Sequence, residues 1–147
     1  PEKWSRVAYA THSFGQGFLI TPLHLAAAYG ALVDGVYRTP VLLKGTEGRS
    51  WRVFSPATAQ ALREALARVA VPTAHLPGYR LGGKTGTAET PGKRRALEHA
   101  WYMGYGPTDG SPYPPLVVVA FFENGGEGSR VALPAVRKVM AAYWGIK

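Results

Sequence analysis

The chemistry of this chain concentrates in one short run, Gly83-Lys84-Thr85-Gly86-Thr87. A cation beside two hydroxyls is a natural binder of an anionic group, phosphate or carboxylate. Two backbone conformations would use it differently. Gly78 to Thr85 satisfies the phosphate-loop pattern G-x-x-x-x-G-K-[ST] at every position. Such a loop needs a buried strand before it and a helix after it, because the helix N-terminus supplies the amides and dipole that hold phosphate. Here Val71-Pro72-Thr73-Ala74-His75-Leu76-Pro77 reads as a proline-broken loop, and glycine and proline between Gly86 and Gly92 oppose a helix. A nucleotide-binding module stays as an alternative, together with a non-catalytic basic scaffold. The extended reading puts Lys84 and Gly86 on one face and Thr85 and Thr87 on the other. Gly86 leaves the backbone bare, so a peptide can approach and add itself along the edge. Lys84, Thr85 and Thr87 then offer charge and hydroxyls to its carboxylate. On these few letters alone, a glycine-rich edge strand guarded by a lysine is the better reading.

The flanking elements must place that run. Thr21-Pro22 and Ser55-Pro56 are helix starts, a capping residue followed by proline at the first helical position. The first opens an apolar helix from Leu23 to Val33, stopped at Gly35. The second carries Leu62, Ala65, Leu66 and Val69 on one face. A third helix is expected from about Ser129 to Tyr143, with a stripe of Val136, Val139, Met140 and Tyr143 and with Pro134 in its first turn. Strands are expected over Val36 to Leu43, Tyr79 to Ala88, His99 to Gly106 and Leu116 to Glu123. The apolar run Leu116 to Phe122 predicts a central strand covered on both faces. The turns Thr90-Pro91-Gly92-Lys93 and Thr108-Asp109-Gly110-Ser111 are too short for parallel crossovers, so the last three strands form an antiparallel meander. The fold class is α+β, an antiparallel sheet flanked by helices.

Composition bounds the rest. The 147 residues are 46% hydrophobic, which excludes disorder as a description of the whole chain. No apolar run approaches the roughly 20 residues that span a bilayer. The net charge of +8 favours anionic partners, although a solvated basic surface accounts for it as well. With no cysteine, thiol catalysis, disulfides and thiolate metal sites are impossible. The start at Pro1, without an initiator Met, suggests a fragment.

The longer context carries a resemblance. Gly83-Lys84-Thr85-Gly86-Thr87-Ala88-Glu89 resembles the third active-site motif of the serine penicillin-recognising enzymes. Ala100-Trp101-Tyr102-Met103-Gly104-Tyr105-Gly106-Pro107 resembles the strand that follows it in that family. Val117 to Gly126 resembles the next strand, and Pro134 to Trp144 the final helix. Ser13-Phe14-Gly15-Gln16-Gly17 with Thr21-Pro22-Leu23-His24-Leu25-Ala26 is similar to the family's G-Q-G loop and helix. Over roughly residues 4–146 the chain resembles class B penicillin-binding proteins, most of all the cell-elongation type called penicillin-binding protein 2.

The resemblance implies a serine β-lactamase/penicillin-binding transpeptidase-like fold, incomplete on its N-terminal side, with residues 1–147 as the C-terminal portion of the domain. It implies a D,D-transpeptidase that crosslinks peptidoglycan stem peptides through a serine acyl-enzyme and is acylated by β-lactams. In that scheme Lys84 supplies positive potential near the nucleophile and Thr85 and Thr87 bind the terminal carboxylate. The Thr87 N–H completes the oxyanion hole, and Gly86 leaves room for the substrate backbone. The family's S-x-x-K and S-x-N motifs are absent: Ser5, Ser13, Ser50, Ser55, Ser111 and Ser129 have neither Lys three nor Asn two residues on. The chain therefore supplies one wall of a site and no nucleophile, and is expected to be inactive alone. Implied partners are the D-Ala-D-Ala stem peptide, β-lactams, the N-terminal part of the same protein and the elongation machinery. No cofactor and no nucleic acid is implied, and the place of action is the outer face of the cytoplasmic membrane, with an N-terminal anchor outside this chain.

Other residues carry structural expectations. His12, His24, His75 and His99 show no paired metal spacing and are expected at the surface or behind the site. Trp101, Tyr102 and Tyr105 read as strand packing rather than base stacking, with Trp101 behind the motif strand. Lys93-Arg94-Arg95 reads as a solvated hairpin turn that Glu89 can pair with.

Overall fold

The computed structural model describes residues 5–15, 17–70, 72–89, 98–107 and 114–146. The turns at Thr90–Lys93 and Thr108–Ser111, and Lys93-Arg94-Arg95, lie outside the described residues. A short helix α1 (Arg6–His12), unmarked in the sequence reading, is capped by Ser5, whose Oγ accepts from the Ala8 N–H at 3.0 Å. Helix α2 (Pro22–Asp34) starts where Thr21 accepts from the His24 N–H and ends at Gly35, left-handed at φ 80°. Strand β1 (Val36–Arg38) pairs antiparallel with β2 (Ser50–Arg52) in a two-stranded ribbon. The strand expected to reach Leu43 thus ends at Arg38. One further bond joins Thr39 N to Arg49 O, and then Pro40 has no N–H to give.

Helix α3 (Pro56–Val69) begins at Ser55 as expected, but its inward face is turned from the expected one. Ala59 and Ala67 are buried and Arg63 is half-buried, whereas Ala65 and Val69 are exposed. The cause is Arg63. Its guanidinium donates to the Leu32 and Val33 carbonyls, at 2.8 and 2.6 Å, at the end of α2. Those carbonyls lack helical partners, so the contact satisfies them and fixes the helix rotation.

Strands β3 (Gly82–Ala88), β4 (His99–Gly106) and β5 (Leu116–Phe122) form the expected antiparallel meander, in the order β3-β4-β5. Strand β3 begins at Gly82, not Tyr79. The Tyr79 N–H closes a turn onto the Leu76 carbonyl at 2.9 Å, with Gly78 left-handed. The predicted central place of β5 is a correction. Among the described residues β4 is central and β5 is an edge, half-buried from Leu116 to Ala120, with Phe121 and Phe122 exposed. Its apolar run reflects partial cover from α2 and α4 (Ala132–Trp144) rather than a second flanking strand.

Helix α4 starts at Ala132, three residues after the expected Ser129, with Pro134 in the first turn, where an N–H would have no intrahelical acceptor and its absence loses no bond. Its buried stripe is Ala132, Leu133, Val136, Met140 and Trp144. Val136 and Met140 match the expectation; Val139 and Tyr143 instead face solvent. Trp144 takes the inner place, its ring stacked near that of Tyr79. The α4 stripe lies over the β4 face of Ala100, Tyr102 and Gly104, where Val136 and Met140 crowd Gly104. Helix α3 packs on the opposite face, with α2 beside it.

Candidate active-site strand

The run Lys84-Thr85-Gly86-Thr87 lies fully extended within β3. The register opposes Lys84 to Met103, Thr85 to Tyr102, Gly86 to Trp101 and Thr87 to Ala100. Lys84 and Gly86 therefore share the Met103 and Trp101 face, and Thr85 and Thr87 the Tyr102 and Ala100 face, as the alternation predicted. Among the described residues β3 has one neighbour, β4, so its outer edge is open. The phosphate-loop alternative meets this geometry and fails, since Lys84 and Thr85 sit mid-strand and the strand, not a helix N-terminus, continues from them to Ala88.

Each side chain has its own surroundings. Lys84 is exposed and its Nζ donates to the Thr85 carbonyl at 2.8 Å. Thr85 is half-buried and Thr87 exposed. The Thr87 hydroxyl accepts from the Gly128 N–H at 3.3 Å. That amide reaches it because the loop before α4 runs tight against the strand: a Cβ on Gly128 would stand 2.4 Å from the Gly86 carbonyl oxygen and 2.5 Å from that of Trp101. A Cβ on Gly86 would stand 3.2 Å from the Trp101 Cβ across the strand pair, while the Trp101 ring lies 4.3 Å from that of Phe121 on β5 and not behind β3. Thr87 opens onto a cleft of about 420 Å³ also lined by Glu89, Glu98, Glu127 and Arg130. Glu127 is tied within its own loop to Ser129 and, at 3.1 Å, to Arg130.

The histidines brace the fold. His75 Nδ1 accepts from the Leu81 N–H at 3.2 Å, at the entry to β3, and His99 Nδ1 accepts from the Asn124 N–H at 3.0 Å. His24 contacts Thr21 Oγ1, and His12 the Ala8 carbonyl. Among the described residues no group of histidine and carboxylate side chains could hold a metal ion.

Sequence reasoning missed three supports of the site: Arg63, Gly128 and the rings of Tyr102 and Tyr105 against the strand. Only the two tyrosines left a signal, in their alternation along β4. Burial pushes the hydroxyl pKa of Tyr102 up to about 12, and that of Tyr105 likewise to about 12. Both are neutral at ordinary pH.

Residues 1–141 match the family described as the penicillin binding protein transpeptidase domain. The chain belongs to the penicillin-binding protein transpeptidase family. It is 34% identical to the peptidoglycan D,D-transpeptidase MrdA of Haemophilus influenzae, over 88% of this chain and 24% of that protein. A chain solved for the structural coordination of polymerization and crosslinking by a peptidoglycan synthase complex superposes with a TM-score of 0.86. It is 51% identical and the match covers 99% of this chain and 27% of that one. The transpeptidase domain of penicillin-binding protein 3 from Burkholderia pseudomallei gives a TM-score of 0.72 at 29% identity, over 96% of this chain and 48% of that one. The α+β penicillin-binding transpeptidase-like fold is thus the fold of this chain, which spans about a quarter of the length of the transpeptidase MrdA.

Proposed function

We propose that this chain acts as the C-terminal portion of a peptidoglycan D,D-transpeptidase, at the outer face of the cytoplasmic membrane and with the elongation machinery. In that enzyme a serine attacks the carbonyl between the two terminal D-alanines of a stem peptide, and the last D-alanine leaves. The amine of a neighbouring stem then takes the acyl group and frees the serine. β-Lactams acylate the same serine. The reading is supported above all by the open outer edge of β3, along which Lys84, Thr85, Gly86 and Thr87 stand in a row. A peptide laid there gains main-chain hydrogen bonds, and strand twist turns the two faces toward one cleft, where its terminal carboxylate meets the Lys84 ammonium and the Thr85 and Thr87 hydroxyls. The Thr87 N–H serves the oxyanion. Among the described residues no helix is long and apolar enough to cross a membrane.

The test uses the full-length protein and a fluorescent penicillin. One serine is labelled, and Lys84→Ala slows labelling by about 10²-fold, the scale of removing one electrostatic contact to the transition state. Labelling at an undiminished rate removes Lys84 from its role. The 147-residue chain alone forms no adduct, since no serine in it has Lys three residues on. A labelled band at 15.8 kDa, abolished by one serine mutation, contradicts this.

A further inference from the structure

We infer that Tyr102 and Tyr105 are positioning residues that clamp β3 from its two faces just before the Lys84–Thr87 segment, each side chain laid against a glycine of the strand. The catalytic consequence rests on the transpeptidase reading; the clamp itself rests on geometry.

Strand β3 needs such support. Three of its seven residues, Gly82, Gly83 and Gly86, are glycines, which hold an extended backbone poorly, and its outer edge has no neighbour among the described residues. The rings supply what side chains of β3 do not. A Cβ on Gly82 would lie 2.3 Å from Tyr105 Cε1, 2.5 Å from Cζ and 2.6 Å from Oη, so the ring occupies the space of the missing side chain. On the opposite face a Cβ on Gly83 would lie 2.4 Å from Tyr102 Oη and 2.6 Å from the Met103 carbonyl. The rings therefore grip consecutive residues immediately before Lys84.

The two jaws are anchored differently. Tyr105 Oη donates to the Arg63 carbonyl at 2.7 Å, while the Arg63 guanidinium holds the end of α2. One face of β3 is thereby tied through Tyr105 to α3 and α2. Tyr102 is 4% exposed within the core that α4 covers, and its hydroxyl has no hydrogen-bond partner among the described residues. Tyr102 acts by shape, with its Oη nearest Gly83, and Tyr105 by shape and by a polar tie.

Variants of the full-length protein separate these roles, read by penicillin acylation rate, amide hydrogen exchange of residues 82–88 and melting temperature. Gly82→Ala pushes β3 off the Tyr105 ring, speeds exchange at Lys84 to Thr87 and cuts acylation by about 10²-fold, the scale of a 1 Å misplacement. Tyr105→Ala makes room for that methyl group, so Gly82→Ala/Tyr105→Ala loses less than the product of the two single losses. Tyr102→Ala does not relieve Gly83→Ala in this way, because the Met103 carbonyl still blocks the methyl group. Tyr105→Phe keeps the ring, loses the tie and slows acylation by roughly tenfold or less, with a lowered melting temperature. Tyr102→Phe breaks no hydrogen bond but removes the Oη that stands against Gly83, so its melting temperature falls less than that of Tyr105→Phe. Multiplicative losses in the Gly82/Tyr105 pair, or unchanged exchange in β3 of Gly82→Ala, overturn the clamp. Should Gly82→Ala not fold, a Tyr105→Phe variant with full rate and full protection overturns it as well. If the unmodified protein takes no label while exchange follows the expected pattern, the transpeptidase reading fails and the clamp stands.

Discussion

The sheet side and the ribbon side of this molecule are built to different standards. Around β4 and α4, Met140, Val136 and Leu133 are at most 2% exposed, and the strand that carries Lys84 is pressed between rings. Around α1, the approach to α2 and the β1–β2 ribbon, large apolar side chains stand in water: Leu19 is fully exposed, Leu42 is 81% and Leu43 74% exposed. A close-packed interior transmits displacement, whereas an exposed apolar surface stores capacity for association. The motif sits on the first kind of region. Its neighbours can hold an edge strand in a fixed geometry, as a catalytic role for it would require.

That contrast can be broken from either side. The largest effect belongs to Met140→Ala, which empties the fully buried heart of the sheet side and is expected to destabilise by about 2–5 kcal/mol in a denaturant titration. A loss below about 1 kcal/mol would put the two regions on one footing. Alkaline pH tests the same side next. Tyr102 and Tyr105 have hydroxyl pKa values raised to about 12 by burial, above the ordinary 10.0. Folding therefore disfavours their ionised forms, and the stability they contribute is full below pH 10 and falls as pH rises toward 12. Chemical-denaturation midpoints across that window check it, with Tyr102→Phe flattening part of the decline. Acid pH reaches the ribbon side with a smaller effect. The Arg38 hydrogen bond holds the Asp34 carboxyl at about 2, below its usual 3.8. Its contribution is present above pH 3.8 and lost as pH falls through about 2, and Asp34→Asn removes that slope. The pair is exposed, so the slope is shallow. Smallest of all, Leu42→Ser and Leu43→Ser are expected to move stability by no more than about 0.5 kcal/mol while reducing self-association in sedimentation.

How much of this was legible in the sequence follows the same division. The meander could be read because its connections are too short for crossovers and because residues alternate along β3 and β4. The two Ser/Thr-Pro helix starts could be read because capping is local chemistry. Inward faces were harder. An apolar count gave α3 a face through Val69 and α4 a face through Val139 and Tyr143, yet each helix turns to satisfy something distant. For α3 this is the pair of carbonyls that Arg63 holds across 31 and 30 residues of sequence. For α4 it is the room for Trp144 beside Tyr79. Strand β5 misled because an unbroken apolar run describes its cover and not its place in the sheet order. In the candidate site, the four residues of the motif and their two faces were visible from alternation alone. The rings that grip Gly82 and Gly83 and the Gly128 amide behind Thr87 were not, since each depends on pairing register or on loop course.

The Gly128 amide has a consequence for the polarity of the site. A threonine oxygen that already receives a proton from behind has a lone pair engaged, and its own hydrogen remains to be given. The hydroxyl of Thr87 is thus biased toward donation at its free side. On the transpeptidase reading, that hydrogen is the one a carboxylate laid along β3 would accept.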